Sequence, residues 1–375
     1  MRHSPVLIIG ASISGLASAA CLQKKGIGYL VIDKEAGIAS PWQNHYDRLH
    51  LHTSKGVSNL PYKSFGRNIP RYPSRLQVLD YLNDYRKQFS IKPEFKTEAL
   101  SVRKEDDHWV TETNTDSIQS DFVIIATGPF HQPKNIEIPG MDSFPGRLLH
   151  SAQYKSGRDF KGKKILVIGF GNSACEIAID LYEQGALPSM AVRSPVNMVP
   201  RDILGIPILQ ISQLMSRLPA ALADTINEPI MRVWFGDIRK LGLRKMKYGV
   251  FRQIEKDRTI PLLDIGTIKH IRQGHIKVYE GIDHISGKTV FFTGGKQSEF
   301  DDIVAAIGYE PGYRGIVKVE PERFDDLKVS TANQKYFGKD GLYFCGFWVS
   351  PRGQIRENSL DAKRIAKDIA GKLGH

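Results

Sequence analysis

The sequence predicts an α/β protein of two Rossmann-like dinucleotide-binding domains, the second inserted into a discontinuous first, and three observations carry that prediction. A strand, glycine turn and helix open the chain. The same pattern returns from Lys164 onward, and each copy is followed by a buried strand running into a glycine. At 375 residues, 41% hydrophobic and 25% charged, the chain has room for two globular domains and a sizeable core.

The opening stretch Pro5–Ala20 reads PVLIIGASISGLASAA. Val6–Ile9 is a short apolar run, as expected of a parallel strand covered on both faces. Gly10, Ser12 and Gly15 take the three positions of a GxGxxG loop. The first allows a tight turn, the second lets backbone amides approach a pyrophosphate, and the third lets helix pack on strand. A helix N-terminus then offers its partial positive charge to the phosphates. Asp33, with Lys34 beside it, ends the apolar run Tyr29–Ile32. It stands at the distance from Gly10 where an acid suits a ribose hydroxyl.

The stretch after Asp33, through Trp42, Gln43 and His52, lacks periodicity and reads as a long functional loop. Pro73 and Ser74 start a helix with Leu79, Leu82 and Phe89 on one face. A meander through Ala99–Val102, Trp109–Thr113 and Ser117–Ser120 leads into DFVIIATGP, which ends at Thr127 and Gly128. Prolines between Pro129 and Pro145 mark a connection out of the first domain. The second copy follows: Lys164–Ile168 as strand, Gly169, Gly171 and Ala174 as the loop, Asn172 and Ser173 within it, and a helix through Cys175–Tyr182. Its second strand, Ser189–Val192, ends not in an acid but in Arg193, which suits the 2′-phosphate of NADP. DDIVAAIGY at Asp301–Tyr309 repeats the strand-to-glycine ending. The expected boundaries are 1–150, 151–298 and 299–375. The segment 201–266, helical with Pro207, Pro219 and Pro229 as breaks, is a candidate lid, with a substrate pocket or a membrane-surface contact as the alternatives, and Asn358–Leu373 is a closing helix.

Cys21, Cys175 and Cys345 lie far apart in apolar settings, which argues for a reducing compartment and buried thiols. Without a CxxC pair the disulfide reductases are disfavoured. The first strand follows Met1 almost at once, so a cytoplasmic protein is expected. The uncharged run Ile203–Ser216 is too short to span a membrane. The net charge of +12 is spread along the chain, and neither nucleic acid nor a metal site is expected.

The string Phe144-Pro145-Gly146-Arg147-Leu148-Leu149-His150-Ser151-Ala152-Gln153-Tyr154 fits FxGxxxHxxx(Y/F). With Trp42-Gln43, Tyr46-Asp47-Arg48-Leu49, Val199-Pro200-Arg201 and Leu263-Asp264-Ile265-Gly266-Thr267, the chain resembles the class B flavin-containing monooxygenases, YUCCA-type, over nearly its whole length. Departures are Ser12 and Ala174, where the family usually has glycine, and Ala306-Ile307-Gly308 for its second ATG. The resemblance implies FAD and NADPH as cofactors. It implies a small-molecule substrate and O2, a C4a-hydroperoxyflavin, and attack on a 2-oxo acid such as indole-3-pyruvate with loss of CO2. N- or S-oxygenation, Baeyer–Villiger oxidation and a reductase without oxygen insertion are the alternatives; a homo-oligomer stays open. On this reading Gly10, Ser12, Gly15, Asp33, Lys34, Trp42, Gln43, Thr127 and Gly128 hold FAD, and Gly169, Gly171, Asn172, Ser173 and Arg193 hold NADPH. His52 stands near the reacting oxygen, and His150 reads as a hydrogen-bonded histidine between domains.

Overall fold

The structure is a computed structural model that describes residues 2–130, 132–257, 259–318, 337–347, 350 and 352–374. By its contacts the chain forms two units, one of 1–44, 53–132 and 309–375, the other of 45–52 and 133–308.

In the first unit the apolar run after Ser4 forms the strand Arg2–Ile9, parallel to Leu30–Asp33 on one side and Ser117–Ile125 on the other. Glu94–Phe95 extends the sheet beyond Leu30–Asp33, and Leu342–Phe344 pairs with the second half of Ser117–Ile125. The first half of that strand closes an antiparallel meander with Ala99–Glu105 and His108–Thr113. Its core joins Leu7, Ile9, Ile32, Val102, Trp109, Val123, Ile125 and Phe344.

The second unit repeats this plan. Lys164–Ile168 lies between Leu187–Ala191 and Asp302–Ala305, with Lys277–Tyr279 and Leu148–His150 at the edges, and every pairing is parallel. A three-stranded meander, Ile282–Ser286, Thr289–Phe292 and Gln297–Glu299, feeds Asp302–Ala305 as the first meander feeds Ser117–Ile125. The repeat extends to single hydrogen bonds. Gly10 N donates to Ile32 O at 2.8 Å and Gly169 N to Ala191 O at 3.0 Å; Ala126 N donates to Ile9 O at 2.8 Å and Ala306 N to Ile168 O at 2.9 Å. One difference is order along the chain, since the edge strand comes last in the first unit and first, as Leu148–His150, in the second. That pairing places 133–150 with the second unit, and the strand Asp302–Ala305 with it, where the sequence reading puts boundaries at 150 and 298.

Other elements refine the sequence reading. Trp42 and Gln43 lie in a short helix, Ser40–Asn44, rather than a bare loop. Ser74 starts Arg75–Gln88 through a reciprocal capping box with Gln77, burying Val78, Tyr81, Leu82 and Tyr85. Pro207 and Pro219 immediately precede the helices Ile208–Met215 and Ala220–Phe235, but Pro229 stands inside the second, where it removes a backbone donor without ending the helix. That helix leaves Leu222, Ile226, Ile230, Val233 and Trp234 exposed. The closing helix starts earlier than expected, at Gln354, and buries Ile365 and Ile369 while Leu373 lies beyond its end. No described helix is long and apolar enough to cross a membrane.

Candidate functional site

Gly10 has φ +112°, and a Cβ there would lie 2.7 Å from the carbonyl oxygen of Ala126; one on Gly15 would lie 1.8 Å from that of Gly10. Only glycine fits either position. Ser12 caps the helix Ile13–Gln23 from an extended backbone, yet its side chain makes no capping bond, so it leaves the first-turn amides to another acceptor. Thr127 Oγ1 is buried with no partner among the described residues, and Gly128, at φ +77°, faces open space. An orphaned hydroxyl and an uncapped helix end are what a pyrophosphate would satisfy, so the residues present fit a dinucleotide.

Asp33 accepts from Ala11 N at 2.6 Å through Oδ2 and from Glu35 N at 2.9 Å through Oδ1. The carboxylate therefore braces the glycine loop, and each oxygen keeps a lone pair for a further donor. Lys34 is exposed. Trp42 is half-buried, whereas the Gln43 amide turns back onto Ile38 O at 2.7 Å and Arg75 donates to the Gln43 carbonyl at 2.9 Å. Gln43 thus commits a donor to its own loop.

In the second unit Gly169 has φ +117°, and a Cβ there would sit 2.6 Å from Ala306 O. Gly171 caps the helix Asn172–Glu183, and a Cβ on it would meet nothing within 4 Å. Ala174, the departure from glycine, is fully buried with its methyl 3.7 Å from the Gly169 Cβ position, so this turn is roomier than the first. Asn172 Oδ1 accepts from Leu263 N at 2.9 Å, tying the loop to the strand Leu262–Asp264. Ser173 is half-buried in the first turn. Arg193 closely follows its strand and is exposed, its stem beside Gly281, and its guanidinium has no ion pair among the described residues. Arg244 donates to the Arg193 carbonyl, which brings a second guanidinium to this strand end. The sequence reading misses Arg244, which stands 51 residues away in a segment without a motif.

The string Phe144–Tyr154 is a brace of the second unit. Phe144 joins its core, and a Cβ on Gly146 would lie 1.9 Å from Asp301 O. Arg147 pairs with the buried Asp302 at 3.1 Å, and Lys163 does so at 3.0 Å. Tyr154 Oη donates to Asp180 Oδ2 at 2.6 Å, and burial followed by that carboxylate pushes the phenol pKa up. His150 Nδ1 accepts from Ala152 N at 3.1 Å, so Nε2 carries the hydrogen and donates to Gly308 O at 3.2 Å. Burial pushes this imidazole pKa down. Both of these bonds lie within the second unit.

His52 also belongs to the second unit. Its Nε2 lies 2.6 Å from Oε1 of Glu176, a residue only 1% exposed on the helix Asn172–Glu183. A carboxylate accepts, so Nε2 carries the hydrogen and Nδ1 of the neutral ring is left as an acceptor. The three cysteines are free and buried; burial pushes the Cys21 thiol up to about 11 and raises Cys175 and Cys345 as well. Thiols of this kind are poor nucleophiles, which speaks against dithiol chemistry.

Two nucleotide folds of one plan, with open glycine-loop helix ends and no reactive thiol among the described residues, define a two-dinucleotide oxidoreductase. Accordingly, residues 7–202 match the pyridine nucleotide-disulphide oxidoreductase family. Over 97% of its length the chain is 38% identical to indole-3-pyruvate monooxygenase YUCCA6 of Arabidopsis thaliana, covering 89% of that protein. It is 35% identical to indole-3-pyruvate monooxygenase YUCCA1 of Oryza sativa subsp. japonica, with 97% and 90% of the two chains covered. The chain belongs to the YUCCA-type family of flavin monooxygenases. In fold it is similar to a flavin-containing monooxygenase from Stenotrophomonas maltophilia, with TM-score 0.72, 18% identity and both chains covered in full. It is likewise similar to cyclohexanone monooxygenase from Rhodococcus sp. Phi1, with TM-score 0.75 and 18% identity over 100% of this chain and 85% of that one.

Proposed function

We propose that the chain is an FAD- and NADPH-dependent monooxygenase that oxidatively decarboxylates a 2-oxo acid of the indole-3-pyruvate type. The observation that carries the reading is the repeated glycine loop whose second strand leads to Asp33 in one unit and to Arg193 in the other. An acid suits a free ribose and repels a 2′-phosphate, whereas an exposed arginine attracts one. Gly10, Ser12, Gly15, Asp33, Thr127 and Gly128 are assigned to FAD, with Trp42 beside its ring system and Lys34 and Gln43 at the rim. Gly169, Gly171, Asn172, Ser173 and Arg193, joined by Arg244, are assigned to NADPH.

Bound FAD supplies the activation of O2, which no side chain provides. The chain must bind and orient the reactants and exclude water. His52 is assigned to the reacting oxygen, with Nδ1, which accepts in the Nε2–H tautomer, as the working nitrogen because Nε2 is committed to Glu176. The balance is one 2-oxo acid, one O2, one NADPH and one proton giving the acid shorter by one carbon, CO2, water and NADP+.

The test measures CO2 and H2O2 against NADPH consumed in the presence of indole-3-pyruvate. About one CO2 per NADPH, with little H2O2, is expected. NADPH oxidation that yields H2O2 alone, or turnover confined to amines, thioethers or ketones, would refute the proposed substrate class.

A further inference from the structure

The helix Asn172–Glu183 carries Glu176 almost wholly out of water. One carboxylate oxygen bonds His52 at 2.6 Å and the other is buried with no partner among the described residues. A buried carboxylate with one satisfied oxygen is costly, and an apolar residue of similar size would pack here at lower cost. Stability therefore does not explain its presence. Fastening the segment 45–52 does not explain it either. Arg48 already holds that segment with two bonds of 2.9 Å to Glu183, which lies two turns further along the same helix face. Asp47 N adds a bond to Lys155 O at 2.9 Å. What the His52–Glu176 bond adds is control of the ring.

We propose that Glu176 is a positioning residue that acts through His52: its carboxylate takes the Nε2–H, fixes the tautomer and leaves Nδ1 as the free nitrogen of the imidazole. This rests on the role assigned to His52 above. It also makes the helix that opens from the second glycine loop the element that sets the proton of His52, because the turn at Gly171 and Asn172 and the residue Glu176 share that helix.

The test uses the holoenzyme labelled with 15N-histidine, the His52 signal being identified by its loss in His52→Asn. The native ring should show the fixed Nε2–H tautomer. In Glu176→Gln the amide can either donate or accept, so the ring should pass to a mixture of tautomers, while Glu176→Asp should keep the native signature at least in part. Flavin content and the thermal midpoint of each variant establish that it is folded. In the coupled reaction Glu176→Gln should raise H2O2 released per NADPH roughly tenfold, and combining it with His52→Leu should add nothing to His52→Leu alone. An unchanged His52 tautomer in Glu176→Gln, or additive losses in the double variant, would overturn the proposal. If His52→Leu alone left coupling intact, the role assigned to His52 would fall, while the ring signature would still decide the bond to Glu176.

Discussion

Gly15→Ala tests the first glycine loop with a perturbation whose size the structure gives. A Cβ there would lie 1.8 Å from Gly10 O, far inside the 3.4 Å at which ordinary contact begins. The oxygen cannot readily swing aside, because the peptide that carries it is held through Ala11 N on Asp33 Oδ2 at 2.6 Å. The helix Ile13–Gln23 must instead retreat from the strand by most of the difference between those two distances. Overpacking on this scale costs about 3 kcal/mol, or roughly 5–10 °C in Tm. The same retreat carries the helix amides out of hydrogen-bond range of a phosphate. Two such bonds at about 1.5 kcal/mol each correspond to more than a hundredfold in Kd for FAD. Flavin absorbance per protein and a thermal melt read both effects. Gly171→Ala is the control: a Cβ there meets nothing within 4 Å and φ is −91°, so stability should hold within about 0.5 kcal/mol while NADPH binding alone weakens. Recovery of Gly15→Ala with full flavin and an unchanged Tm would refute the assignment of this loop.

Arg193→Ala should weaken NADPH about ten- to a hundredfold and leave NADH nearly unchanged, since a charge-assisted phosphate bond contributes about 1.5–3 kcal/mol. Arg244→Ala should shift the same ratio in the same direction, and coenzyme titrations in which both forms weaken equally would move the 2′-phosphate elsewhere. The pKa of His150 is held down in the folded chain, so its contribution is fully present above the unfolded value of about 6.5 and is lost as pH falls toward the folded one. His150→Gln should flatten the decline of Tm in that window without abolishing it, because burial and the neighbouring His275 lower His270 as well; a slope identical to the native one would exclude this histidine. Asp302→Asn leaves Arg147 and Lys163 facing a neutral group at a site where the carboxylate is 2% exposed. Its cost should be about 2 kcal/mol in a denaturant titration, less than for a fully buried pair because both cations are partly exposed. Against its own burial, Asp302 is held below the usual carboxylate range by Arg147 and Lys163, so its contribution is present above the unfolded pKa of about 3.9 and is lost as pH falls through the folded value.

What is legible in the sequence follows from the range over which each constraint acts. The glycine loops announce themselves because at Gly10, Gly15 and Gly169 the clashes avoided involve the loop itself or the residue just after the neighbouring strand, Ala126 or Ala306, and only glycine tolerates them. Ala174 departs from the pattern without harm because its methyl keeps 3.7 Å from the Gly169 Cβ position, a clearance that no sequence motif encodes. Leu148–His150 is not readable as a strand because so short a run has no periodicity; its place is set by pairing with Asp302–Ala305 at the far end of the second unit. Arg244 and Glu176 are hidden for a related reason. Each is tied to the site by one polar bond, to Arg193 across 51 residues and to His52 across 124, and each sits where its own neighbourhood reads as ordinary helix or loop. Local backbone geometry limits which residue types a position accepts, so it leaves a readable trace. A single long-range hydrogen bond constrains two positions jointly and neither alone, and the groups that tune a site are held mostly by bonds of that kind.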